Sequence, residues 1–184
     1  MRIDLTSGLV EEARQQPSPN CDSRPEESDI GLIVIHGISL PPGKFGDDYI
    51  DQLFCNKLNP EEHPYFKEIS GLKVSSHLLV RRDGEVVQYV PLHKRAWHAG
   101  VSSYKNRECC NDFSIGIELE GEDETPYADI QYQILSKIIK SLINTYPALN
   151  QETIVGHSDI APGRKTDPGT AFDWELLNKL VSPI

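Results

Sequence analysis

Five side chains able to carry a proton or ligate a metal, His157, Asp159, Arg164, Lys165 and Asp167, crowd between positions 157 and 167. Pro162 and Gly163 lie inside the stretch and Pro168 and Gly169 just beyond it, so the segment reads as a stiff, turning loop. Packing does not require such a density of polar groups. A catalytic zinc usually takes about three protein ligands from His, Asp, Glu or Cys and keeps a position open for water. His157 and Asp167, ten positions apart across the turn, are two candidate ligands. The natural third is His36, which ends the buried-looking run Leu32-Ile33-Val34-Ile35. Each histidine alone reads equally as a packed or surface residue, and it is the set of three that suggests a hydrolytic metal site. Asp159 reads as a brace for the loop, His77 as structural, and His63 and His93 as exposed or packing residues. Cys109 and Cys110 are poor ligand candidates, because neighbouring side chains rarely converge on one ion.

These residues need elements to hold them. Leu32 to Ile35 is a β-branched and aliphatic run suited to a strand covered on both faces. Phe113, Ile115, Ile117 and Leu119 alternate with Ser114, Gly116, Glu118 and Glu120, the period of a strand with two unlike faces, which puts Glu118 away from the aliphatic side. Ser76 to Val80 and Glu85 to Val90 flank Asp83-Gly84 and predict a hairpin. Thr125 and Pro126 mark a helix start, with Ile130, Ile134, Ile138 and Leu142 as its apolar stripe up to Pro147. Thr153 to Val155 predicts a short strand leading to His157, and Asp173 caps a last helix that buries Trp174, Leu177 and Val181. Residues 8 to 14 predict a short helix, and the Pro-, Ser- and acid-rich stretch from Gln16 to Asp29 a surface arm. Between Gly37 and Val74, Tyr49, Ile50, Leu53 and Phe54 fall at helical spacing, His63-Pro64 reads as loop, and the whole reads as decoration around a site. Strands and helices alternate unevenly, so the expectation is an α/β fold: one domain over 1–184 with a central mixed sheet flanked by helices, an arm at 1–29 and a core at 30–181.

The bulk properties agree. A chain of 184 residues with 38% hydrophobic content can bury a core without disulfides, and its four cysteines, without CxxC spacing, read as reduced thiols. A formal net charge of −10 argues against nucleic acid and anionic membrane surfaces as partners. The first twenty residues carry Asp4, Glu11, Glu12 and Arg14 and do not read as an export signal, so a cytoplasmic protein is expected; a monomer is the separate expectation for its assembly.

Several motifs extend the pattern: Leu32-Ile-Val-Ile-His36, Trp97-His98-Ala-Gly100, Ser114-Ile-Gly-Ile-Glu118 and His157-x-Asp-Ile-Ala-Pro-x-Arg164-Lys165-Thr-Asp167-Pro-Gly169. With Ser39 to Gly43, His63 to Phe66, Arg81 to Glu85 and Asn111-Asp112, the chain from about residue 17 to 175 resembles, in order, the zinc N-acetylmuramoyl-L-alanine amidases. Within them it is most similar to the cytoplasmic AmpD-type group, whose fold is that of the peptidoglycan-recognition proteins. The resemblance implies one zinc ion on His36, His157 and Asp167, a catalytic glutamate at Glu118 and a catalytic lysine at Lys165. Zinc lowers the pKa of water from about 15.7 toward 7. Glu118 would then move the proton, a role worth on the order of 10² to 10⁴ in rate, and Lys165 would face the oxyanion, worth about 3 kcal/mol.

The implied substrate is a muropeptide, cut between the lactyl group of muramic acid and L-alanine. A cytoplasmic enzyme would meet imported fragments carrying anhydromuramic acid, in peptidoglycan recycling. Trp97 and His98 would lie near the substrate, and Arg164 offers a rigid fork for peptide carboxylates. Gly37 replaces an asparagine and Lys73 an arginine usual in the AmpD-type group, so both positions bear on substrate contact rather than on the metal set. Two other classes stay open at this stage: a peptidoglycan-binding module without catalysis, and a phage-type wall lysin with the same chemistry. The absence of HExxH counts against a zinc peptidase of another fold.

Overall fold

The computed structural model describes residues 1–182. Its central sheet contains Arg14–Gln15 (β1), Leu32–Ile38 (β2), Leu78–Val80 (β3), Val86–Gln88 (β4), Ser114–Glu120 (β5) and Ile154–Gly156 (β6). The spatial order is β6-β2-β5-β3-β4-β1. β2 pairs in parallel with both β5 and β6, β3 runs parallel to β5, and β4 returns antiparallel to β3 as the hairpin expected around Asp83-Gly84. The sheet is therefore mixed. The helices are Tyr49–Phe54 (α1), Pro64–Ile69 (α2), Asp129–Thr145 (α3), His157–Ile160 (α4) and Trp174–Val181 (α5).

The sheet's two faces do different work. Ile33, Ile35, Leu78, Val80, Ile115, Ile117 and Leu119 pack against Leu135, Ile138, Ile139 and Leu142 of α3 and Leu177 and Val181 of α5. On the other face, Leu32 and Val34 pack with Phe113 and Ile160, while Leu79 and Val87 pack with Ile50, Leu53 and Phe54 of α1 and Phe66 of α2. Between these two apolar clusters that face turns polar: the side-chain alternation of β2 and β5 puts His36 and Glu118 there. Asp173 caps α5 as expected, its Oδ1 accepting the Leu176 N–H at 2.8 Å.

Four expectations need correction. Residues 8 to 14 are not helical: Gly8 sits at φ +69°, Leu9–Val10 pairs with Ile3–Asp4, and the Val10 N–H is taken by the Gln88 side chain. The stretch from Gln16 to Asp29 is not a loose arm, since Cys21–Ser23 pairs with Lys94–Ala96 and Asn20 and Arg24 are buried. Their polar side chains are buried because they satisfy backbone carbonyls: Asn20 donates to those of Phe54 and Val74, and Arg24 to those of Leu92, Asn111, Asp112 and Ser114.

The third correction concerns α3, which begins at Asp129 rather than at Thr125. Thr125 spends its hydroxyl on Glu122, and the Ala128 N–H is taken by the Gln131 side chain instead. Its buried face follows Gln131, Leu135, Ile138, Ile139 and Leu142, leaving Ile130 exposed, because Gln131 reaches across to the carbonyls of Val80 and Glu120. Finally, His63 is not loop: it caps α2, its Nδ1 accepting the Tyr65 N–H at 3.2 Å.

Candidate metal centre and active site

His36, His157 and Asp167 meet at the C-terminal ends of the parallel strands, where open α/β sheets present their ligand-binding crevice. His36 is the fifth residue of β2, and His157 follows β6 directly as the first residue of α4. The loop after α4 brings back Asp167, its carbonyl accepting the Ser158 N–H at 3.0 Å. Asp159 braces this loop, its carboxylate accepting the Gly156 N–H at 2.7 Å. His77, also as expected, is structural: it is fully buried, with Nδ1 accepting the Gly116 N–H at 3.0 Å.

Three atoms converge. His36 Nδ1 lies 3.0 Å from His157 Nδ1 and 3.1 Å from Asp167 Oδ2, and His157 Nδ1 lies 3.0 Å from the same oxygen. His157 Nε2 is 3.1 Å from the Ala99 carbonyl, which only accepts, so the proton of a neutral His157 sits on Nε2 and its Nδ1 lone pair faces the cluster. Two imidazole nitrogens and a carboxylate oxygen at this spacing need an electropositive centre among them. Tetrahedral zinc, with bonds of about 2.0–2.2 Å, separates its ligands by about 3.3 Å, close to what the three atoms already show. Donor set and spacing fit a zinc-like divalent cation.

Electrostatics point the same way. Burial pushes the His36 imidazole down to about 4, only partly opposed by Asp167, so it is neutral near pH 7 as a metal ligand must be.

Glu118 pairs in register with His36 across β2 and β5, which puts the two side chains on the same face of the sheet. It is 8% exposed, and its buried Oε2 has no hydrogen-bond partner among the described residues. Burial first, then repulsion from Asp167, push its carboxyl well above the ordinary value, with Lys165 pulling the other way. Exposed Lys165 lies on the same cavity, of about 690 Å³, that holds His36, His157, Asp167 and Glu118. Pro42, Leu53, Phe54, Tyr65 and Ile69 give it an apolar wall, so the segment from Gly37 to Val74 does surround the site.

The remaining candidates are spread more widely. Gly37 lines the cavity, and the Tyr127 hydroxyl, bonded to the Pro168 carbonyl, occupies the space a side chain at 37 would need. Exposed Lys73 lies between Leu72 and Val74 of the cavity rim. His98 lines the cavity from behind His36, with Nδ1 2.9 Å from His36 Nε2, whereas half-buried Trp97 lies outside the lining. Arg164 turns away: its guanidinium donates to the carbonyls of Ala99 and Val101 and lines a separate hollow near Cys109. The sequence reading did not single out Glu122, Asp123 and Glu124, an acidic rim just past β5. Their position after the C-terminal end of a strand beside Glu118 was the available signal.

A buried, unpartnered carboxylate beside a three-donor cluster on an open cavity is the layout of a metal-assisted hydrolase. The chain belongs to the N-acetylmuramoyl-L-alanine amidase family, whose profile matches residues 26–170. It is 56% identical over 179 residues to the 1,6-anhydro-N-acetylmuramyl-L-alanine amidase AmpD of Citrobacter freundii, spanning 97% of this chain and 95% of the relative. A crystal structure of a selenomethionine AmpD derivative superposes with a TM-score of 0.95 at 55% identity, covering 99% of this chain and 100% of the other. The Escherichia coli amidase AmiD, in complex with anhydro-N-acetylmuramic acid-L-Ala-D-γ-Glu-L-Lys, matches with a TM-score of 0.61 at 33% identity, over 83% of this chain and 57% of its own. Among the described residues no helix is long and apolar enough to cross a membrane.

Proposed function

We propose that this chain is a zinc-dependent amidase that hydrolyses the bond between anhydro-N-acetylmuramic acid and L-alanine in muropeptides, a step of peptidoglycan recycling in the cytoplasm. The observation that carries this reading is the Glu118 carboxylate, buried without a partner and in register with His36 at the cavity floor. The near-complete overlap with a relative named for that activity supports the substrate. The AmiD complex supports a cavity that takes sugar and peptide together. Four free thiols suit a reducing compartment. We read the protein as a monomer with one catalytic domain, in which residues 1–29 brace the core at 30–181.

One zinc ion on His36, His157 and Asp167 would supply Lewis acidity, polarising the scissile carbonyl and acidifying the attacking water. Glu118 takes the proton of that water as its oxygen bonds to the carbonyl carbon. The C–N bond then breaks, and Glu118 hands the proton to the departing L-alanine nitrogen. Its raised proton affinity suits this second step, because burial and the nearby Asp167 favour the protonated form that delivers the proton to the amine. Lys165 places an ammonium at the cavity edge, where negative charge develops on the carbonyl oxygen. A module that only binds peptidoglycan gains nothing from a buried, unpartnered carboxylate, since such a group costs stability.

The test is to incubate the zinc-loaded protein, with and without a chelator, with anhydromuramyl-tripeptide and with ordinary muramyl-tripeptide, and to identify products by mass spectrometry. The expected result is chelator-sensitive release of free tripeptide, faster from the anhydro form. No cleavage of either substrate would remove the enzyme reading, and a preference for the ordinary form would remove the recycling role.

A further inference from the structure

The polar groups behind the metal cluster form a chain whose proton positions are set by counting. At its far end, the Ser114 hydroxyl donates to the Cys110 carbonyl at 2.6 Å, and a carbonyl can only accept. Ser114 Oγ has then spent its single proton, so at 3.1 Å from His98 Nε2 it must accept one. A neutral His98 with its proton on Nε2 has a lone pair on Nδ1, 2.9 Å from His36 Nε2. His36 therefore donates from Nε2, and its remaining lone pair, on Nδ1, faces Asp167 and His157.

The neighbouring residue does the same for the other histidine, since the Ala99 carbonyl fixes the His157 proton on Nε2. One dipeptide thus holds both rings. It is itself pinned by Asn111, whose Oδ1 accepts the N–H groups of His98 at 3.1 Å and Ala99 at 2.8 Å. Space for the His98 ring comes from Gly116 of β5, where a Cβ would lie 2.5 Å from His98 Cγ.

We infer that His98 is a positioning residue that selects the ligating tautomer of His36 through a hydrogen-bond chain to Ser114 and Cys110, with Ala99 doing the same for His157. This role stands beside the substrate contact expected for His98 from the sequence, since His98 also lines the cavity. It rests on the reading of His36 and His157 as zinc ligands. Partners of this kind, one bond removed from the metal, typically change affinity by about 10- to 100-fold when lost.

Two measurements test it. In the zinc-loaded protein, ring-nitrogen NMR should find the His98 proton on Nε2 and His36 Nε2–H protected from exchange. A His98 proton on Nδ1 would overturn the inference, because that proton would oppose the one on His36. Separately, competition with a chromophoric chelator should show His98→Phe weakening zinc binding by about 10- to 100-fold. His98→Asn, which keeps an acceptor near the Nδ1 position, should restore most of that affinity. Equal zinc affinity in wild type, His98→Phe and His98→Asn would also overturn it. The NMR readout needs no variant, so a His98→Phe protein that failed to fold would leave the inference exposed to refutation. If the wild-type chain bound no zinc at all, the ligand reading would fail and take this inference with it, a result distinct from zinc binding with the wrong His98 tautomer.

Discussion

His36 and Glu118 sit directly opposite one another on the parallel strands β2 and β5, one at the three-donor cluster and the other bearing the unpartnered carboxylate. A sheet register is fixed by every other pair along it, here from Ser114 with Leu32 to Glu120 with Ile38. The spacing between proton carrier and metal ligand is therefore set by the most deeply buried part of the molecule.

Replacing Glu118 by Gln keeps the shape and removes the titratable carboxyl. Turnover should fall by about 10² to 10⁴, while zinc stoichiometry stays unchanged. The stability to urea of the metal-free wild type should fall relative to the metal-free variant as pH rises, because only the wild type carries a buried carboxyl whose charged form burial disfavours. Loss of zinc from this variant would instead make Glu118 part of the metal set.

Asp167 holds both histidine nitrogens through one oxygen, at 3.0 and 3.1 Å. Asp167→Ala should lose stoichiometric zinc, measured by metal analysis after dialysis. A variant that retained one zinc per chain would contradict the ligand set.

Lys165→Met removes the ammonium without touching a ligand. The expected effect is a fall in kcat of about 10²-fold or more, with KM and zinc content little changed. A change confined to KM would place Lys165 in substrate binding only.

The buried histidines set an acid limit. Burial holds His36 at about 4 and His77 at about 3, below the 6.5 of an exposed imidazole. Below pH 6.5 the unfolded chain binds protons that the folded chain refuses, so the stability of the metal-free protein falls as pH drops from about 6.5 toward 4. Glu118 works in the opposite direction, since its raised folded value makes the folded state the better proton binder in its own window. Burial holds His98 well below its ordinary value too, so three histidines against one glutamate give a net loss on acidification, which urea titrations at pH 7 and pH 5 should detect. Equal midpoints would contradict the burial of these rings.

What the sequence made legible was whatever a local pattern encodes. The aliphatic run before His36 and the alternation around Glu118 name their strands without any knowledge of pairing, and Asp83-Gly84 and Asp173 name their turn and cap. What stayed illegible depends on partners distant in the chain. Asn20 and Arg24 look like surface residues until the carbonyls they serve, on segments near 54, 74, 92 and 112, are in place. The buried stripe of α3 is rotated from the one its isoleucines suggest because Gln131 has carbonyls to bridge at the ends of β3 and β5. Arg164 shares a motif with Lys165, yet only the structure shows it turned toward Ala99 and Val101 while Lys165 faces the cavity.

The most direct test of the central claim is hydrolysis of anhydromuramyl-tripeptide in heavy-oxygen water by the zinc-loaded protein, with both products weighed by mass spectrometry. Attack of water at the lactyl carbonyl predicts one heavy oxygen in the new carboxylate of anhydro-N-acetylmuramic acid, none in the released tripeptide, and no products once a chelator has removed the metal. Label in the peptide, or cleavage that survives complete metal removal, would contradict the account.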